Sequence, residues 1–217
     1  MATLLHIDSS VFPGEASSSR PATRAFRLAW QEQHPAGTVI YRDLAADPVP
    51  HITADAFIAG AVDPAARTGK QAAAFAKRET LIRELESADA VLIGAPMYNF
   101  GIPSTLKAWL DNVILLGRTS RAEESKVKGV PVTVVSSRGG SYAPGTPMEP
   151  HEHVLTHLDS VLTWILGMDP HFITVDLTLA SSIPEMTELI PLAVESRAQA
   201  LQQSAAKGKE LAGRLAA

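Results

Sequence analysis

No cysteine occurs among the 217 residues of the chain. That absence excludes disulfide staples, thiolate zinc sites, cysteine-ligated iron–sulfur clusters and thiol nucleophiles. Aromatic residues are sparse at 6%, charged ones make up 19%, and the formal net charge is −4. So mild an acidic balance provides no basic footprint, and no nucleic-acid partner is expected. Long hydrophobic runs are missing too. The strongest run lies between Asp89 and Pro96, far short of the roughly 20 apolar residues of a membrane span. The amino terminus, Met-Ala-Thr-Leu-Leu-His-Ile-Asp, lacks the basic flank and longer apolar stretch of a signal peptide. A cytoplasmic protein with no membrane partner is the expectation.

What the chain does have is 46% hydrophobic residues and enough length to bury about 70% of its unfolded surface in one core. Short apolar runs alternate with longer helical stretches, without repeats or low-complexity segments. Residues 3–7, 38–44, 90–95, 130–136 and 172–179 read as strands. The third and fourth are nearly unbroken apolar runs, as expected of central strands covered on both faces. Ala22, Ala25, Phe26, Ala29 and Trp30 share one helical face, and Ala74, Phe75, Leu81, Ile82 and Leu85 share another. Further helices are predicted over 103–116, 154–166 and 191–215, with a short one over 53–59 in the long connection 45–69. This alternation predicts an α/β fold of five parallel strands with helices on both faces. Either common doubly wound strand order suits the spacing, and nothing divides residues 1–217 into more than one domain.

In an open parallel sheet, ligands bind beyond the carboxyl ends of the strands. The first strand is followed by Ser9-Ser10-Val11-Phe12-Pro13-Gly14-Glu15-Ala16-Ser17-Ser18-Ser19-Arg20, directly before a helix. Such a run of hydroxyls at a helix N-terminus reads either as a phosphate cradle or as a capped polar loop. It is neither a Walker loop nor a dinucleotide fingerprint, since neither glycine pattern occurs. The third strand leads into Gly94-Ala95-Pro96-Met97-Tyr98-Asn99-Phe100-Gly101-Ile102-Pro103. Two prolines and two glycines there display apolar side chains and amides suited to a flat aromatic ligand, or to covering the core. After the fourth comes Ser136-Ser137-Arg138-Gly139-Gly140-Ser141-Tyr142, whose paired glycines permit close backbone approach or a simple turn.

Taken together, the Ser9-Ser10 loop, Ala-Pro-Met-Tyr-Asn-Phe at 95–100 and Ser-Arg-Gly-Gly at 137–140 resemble the FMN-dependent NADH-azoreductases, also described as FMN-dependent NADH:quinone oxidoreductases. The resemblance runs over nearly the whole chain, in order. It implies a flavodoxin-like fold and a homodimer with active sites at the subunit interface. It also implies non-covalent FMN, with Ser10, Ser17, Ser18 and Ser19 at its phosphate. Met97, Tyr98, Asn99 and Phe100 would lie against the ring system, and Ser137, Arg138, Gly139 and Gly140 would close its other side. No side chain is required as nucleophile or general acid, because the flavin carries the redox chemistry. The implied reaction is ping-pong: NADH is the electron donor, and quinones or azo compounds are the acceptors. Two departures from the family pattern stand out. Ser141-Tyr142 replaces a His common soon after the double glycine, and the 117–124 segment is shortened where it would cover the substrate.

Rival readings are weaker. His151-Glu152-His153 with His157 has metal-like spacing but no evident third ligand, so a solvated helix start is preferred and no metal is expected. A serine hydrolase lacks the Gly-x-Ser-x-Gly elbow. A flavodoxin-type electron carrier would display a more acidic face. Trp30, Trp109 and Trp164 read as core or dimer contacts, and Arg42-Asp43 as a local ion pair.

Overall fold

The five short apolar segments become strands β1 (Thr3–Asp8), β2 (Thr38–Asp43), β3 (Ala90–Gly94), β4 (Pro131–Ser137) and β5 (Asp169–Val175). The computed structural model describes residues 1–216. All neighbouring strands run parallel, in the order β2-β1-β3-β4-β5. Of the two doubly wound orders this is the flavodoxin-like one. It sets β1, β3 and β4 side by side, so the three loops singled out from sequence leave one edge.

Alternation along the strands divides the core in two. Leu4, Leu92, Val135 and Ile173 pack against α1 (Arg20–Gln33) and α6 (Ile190–Ala216) through Phe26, Trp30, Ala200 and Leu211. Leu5, Ile7, Val91, Ile93 and Val134 face the other way. They meet α3 (Gly69–Glu86), α4 (Ser104–Val113) and α5 (Val154–Asp159). The long connection carries α2 (Ala54–Ala61), whose first turn is capped by the Thr53 hydroxyl accepting from the Ala56 amide at 3.2 Å. No described helix is long and apolar enough to cross a membrane.

Several boundaries move for local reasons. The α4 helix stops at Val113 because the Thr119 hydroxyl, 2.6 Å away, donates to the carbonyl that a further turn would have used. The β5 strand starts at Asp169, three residues before the predicted start. Pro170 is no obstacle there, since an edge strand can spare its amide. It ends at Val175, before Leu177 takes a φ of 60°. After α5 the chain winds as a π-helix over Ser160–Ile165, with the Leu166 amide donating to Val161 five residues back. Trp30 and Trp109 are buried, whereas Trp164 on that π segment is 82% exposed and is no core residue. Arg42 and Asp43 do not pair with each other, because successive strand residues point to opposite faces. Arg42 bonds Glu84 on α3, and Asp43 bonds Arg20 on α1.

Candidate active site

The loop after β1 is tied down at its first residue. Ser9 donates to the Gly94 carbonyl through both its amide (3.1 Å) and its hydroxyl (2.6 Å), so it is spent on the sheet. Ser10 is buried, with its hydroxyl 3.5 Å from that of Tyr98. Ser17 and Ser19 are buried with their hydroxyls 3.3 Å apart. Ser17, not Ser19, caps α1, accepting from the Arg20 amide at 3.3 Å. The backbone amides of Ser18 and Ser19 have no acceptor among the described residues. Cap and cradle therefore coexist: two hydroxyls and two free amides gather at the positive end of a 14-residue helix.

Beyond β3 the chain makes a tight turn. The Tyr98 and Gly101 amides donate to each other's carbonyls at 2.9 and 3.0 Å, while Asn99 and Phe100 adopt φ of 50° and 65°. Positive φ at both central positions is the I′ geometry, which costs energy for residues other than glycine. It leaves the Asn99 and Phe100 amides without acceptors among the described residues. The Tyr98 side chain turns back instead, its hydroxyl accepting from the Val11 amide at 3.1 Å. Met97 donates its amide to the Ser137 carbonyl at 2.8 Å and packs on the core. These bonds lock the loops after β1, β3 and β4 together.

Past β4, Arg138 is held within the chain by side chain and backbone alike. Its guanidinium makes two bonds to Asp176, at 2.7 and 2.8 Å. Its amide donates to Val175, and its carbonyl accepts from Thr178. Its side chain braces the loop after β4 against the segment that follows β5. A Cβ at Gly139 would lie 2.7 Å from a Leu179 methyl, so any larger residue there would have to push that exposed side chain aside. The Gly139 and Gly140 amides have no acceptors among the described residues. The buried Ser136 hydroxyl also lacks a partner. Across from them, Phe100 is 44% exposed. Its ring is flanked by His151 (centroids 5.2 Å apart) and the edge of Tyr142 (6.5 Å). Sequence reasoning set Ser141-Tyr142 after the double glycine near the ligand but missed His151, because only the fold brings 151 beside 100. The histidine group at 151–157 does not gather. Among the described residues, no three His, Asp or Glu side chains are placed to hold a metal ion.

Sequence reasoning also missed the anchor of the first loop. Arg20 grips Asp43 with two bonds of 2.8 Å and donates to the Ser10 carbonyl at 2.9 Å. Beside it, buried Asp8 accepts from Thr23 and Tyr41, each at 3.0 Å. Burial works against the Asp8 charge, but contacts with His6, Arg20 and Thr23 outweigh it and hold the carboxyl below its ordinary pKa. Arg20 holds Asp43 low in the same way. Burial, then the Asp8 charge, pushes the Tyr41 hydroxyl up to about 12. Depressed carboxylates stabilise the fold above their unfolded pKa, and that stability is lost as pH falls through the folded one. The unfolding free energy should thus hold near neutrality and fall steeply below pH 3.8, the ordinary value for both groups. Urea titrations at pH 7 and below 3.8 measure this, and Asp43→Asn should flatten the acid limb.

Residues 2–204 match the model of a family described as having a flavodoxin-like fold. A protein from Streptomyces avermitilis named FMN-dependent NADH:quinone oxidoreductase is 68% identical over 217 residues, covering 100% of both chains. The chain belongs to this flavodoxin-like family. A second relative of the same name, from Streptomyces coelicolor, is 61% identical and covers 100% of this chain and 98% of its own. Among solved structures, an FMN-dependent NADH-azoreductase from Bacillus anthracis in complex with FMN aligns with TM-score 0.76 and 22% identity, covering 100% of both chains. At that identity the likeness shows the fold. Within the family's frame, the unspent groups described above sort into a hydroxyl-and-amide pocket on α1 and a row of amides beside an aromatic wall. The first suits a phosphate, the second a flat ring with polar edges.

Proposed function

We propose that this chain is an FMN-dependent NADH:quinone oxidoreductase, with azo compounds as further acceptors. The carrying observation is the single edge where unsatisfied amides of Ser18, Ser19, Asn99, Phe100, Gly139 and Gly140 converge. Bound there, FMN supplies the redox chemistry, by which NADH, a proton and a quinone become NAD and quinol. The protein's share is placement. Ser17, Ser19 and the Ser18 and Ser19 amides hold the phosphate against the α1 dipole. Backbone donors at 99, 100, 139 and 140 would meet the polar rim of the ring system. Phe100, with His151 and Tyr142 around it, shapes the apolar slot that donor and acceptor enter in turn, and it keeps water away. Arg138, already paired with Asp176, supports the third loop from behind.

A homodimer with shared sites goes with this reading, as does a cytoplasmic location. Trp164, Leu116 and Phe57 are 82%, 71% and 67% exposed, apolar area of the kind that a second subunit covers. Sedimentation should give twice the chain mass. The purified protein should be yellow, release flavin on denaturation, and bleach with NADH under anaerobic conditions before a quinone restores the colour. A colourless protein that takes up no FMN would overturn the assignment. Flavin that ignores NADH but accepts electrons from a reduced protein partner would favour the carrier reading instead.

A further inference from the structure

Behind the loop that follows β1, a cavity of about 210 Å³ lies between the start of α1 and the strands β1 and β2. His6, Asp8, Arg20, Arg24, Arg27 and Tyr41 line it, with Gly14 and Glu15 of that loop at its mouth. None of the serines, amides or aromatic groups assigned to the flavin does so. The three arginines recur at helical spacing, four and then three residues apart, which places them along one face of α1.

The charges there do not cancel. Arg20 is answered by Asp43 and approaches Asp8 at 3.7 Å. Glu15 at the rim pairs with Arg197 at 3.2 Å. Arg24 and Arg27 have no carboxylate within ion-pair distance among the described residues. Arg27 lies 5.5 Å over the Tyr41 ring, and its buried Nε has no acceptor. His6 is 1% exposed, yet neither ring nitrogen has a hydrogen-bond partner among the described residues. Its Nε2 comes no nearer than 3.4 Å to Asp8.

Donor and acceptor capacity are equally lopsided. Both Asp8 oxygens are taken, one by Thr23 and the other by Tyr41. The cavity therefore offers spare donors, and its three arginines outnumber the Asp8 and Glu15 carboxylates, of which Asp8 already has both oxygens hydrogen-bonded. Buried polar groups in a folded protein meet a partner. An acceptor that carries negative charge would answer Arg24 and Arg27 together. Arginine forks match the oxygens of a phosphate bidentately, as they do those of a carboxylate, and the volume leaves room for a few carbon atoms beyond it.

We propose that this cavity binds a phosphate-class dianion, either inorganic phosphate or the phosphate group of a small monoester, at a site separate from the flavin. With FMN in excess to fill its own cradle, the protein is titrated with inorganic phosphate and, in a second arm, ribose 5-phosphate, at constant ionic strength. The His6 ring resonances are followed by NMR. One equivalent should shift them saturably. A sugar phosphate binding at least tenfold tighter than phosphate identifies a monoester site, and equal or weaker binding identifies a free-ion site. The double variant Arg24→Gln with Arg27→Gln should weaken the saturable shift at least tenfold, while flavin content and NADH turnover stay unchanged. Arg24→Gln alone alters only an exposed side chain and should weaken it measurably if the double variant does not fold. Shifts that never saturate, or that persist unchanged in these variants, would overturn the proposal. So would saturation seen only without FMN, which would place the ion at Ser17 and Ser19.

Discussion

Replacing Gly208 by alanine is expected to lower the unfolding free energy by about 3 kcal/mol, the upper end of what overpacking costs. Gly208 sits where α6 crosses α1. A Cβ there would run into the Phe26 carbonyl oxygen and lie 3.0 Å from its carbon. Backbone cannot rotate away as a side chain does, so the two helices would have to separate along a seam that includes Trp30 and Leu211. Gly213 provides the control on the same helix, since nothing lies within 4 Å of a Cβ built there. Gly213→Ala should be neutral or stabilise by about 0.5–1 kcal/mol, because alanine loses less entropy in a helix. Urea midpoints for the two variants give the comparison. Equal midpoints would mean that the helices are not closely packed at 208.

Next in size is the effect on flavin binding. Changing Ser17 and Ser19 together to alanine should weaken FMN affinity by about 1–3 kcal/mol, the loss of donors to a charged phosphate. That corresponds to roughly 5- to 150-fold in the dissociation constant. Ser17 also caps α1, so the fold itself should lose stability of the order of 1 kcal/mol. Fluorescence titration of released FMN separates the two effects, because the amides of Ser18 and Ser19 remain in place and some affinity should survive. Unaltered affinity would reduce the serines to capping alone.

Much of the architecture was legible from residue pattern. Continuous apolar runs marked β3 and β4 as inner strands, and Phe26 and Trp30 declared the buried face of α1 before any contact was known. Boundaries failed where a single side chain or an edge position decided them: Thr119 ended α4, and Pro170 entered β5 at no cost. The three loops were visible as serine, proline and glycine clusters, but their inner workings were not. Asn99-Phe100 is not a typical pair for a turn with two positive φ angles, so nothing local announced that the two amides would be left free. Arg138 carried the right charge for a ligand, yet Asp176, 38 residues later, claimed it. Arg20 was read past altogether, because its partner Asp43 lies on the far side of a helix and a strand. Pairings of this kind belong to the tertiary fold, and neither residue signals the other.

The π segment at Ser160–Ile165 has a consequence for how such chains diverge. Bonding to the fifth residue back rather than the fourth accommodates one surplus residue at the end of α5, ahead of the turn into β5. It also advances the register, so that Leu166 is buried while Ile165 and Trp164 face outward. The segment is thus a length reservoir. A homologue one residue shorter here could close the helix into ordinary α turns, keep β5 in place, and lose the outward tryptophan surface in the same event. Insertion and surface remodelling would then be a single evolutionary step rather than two.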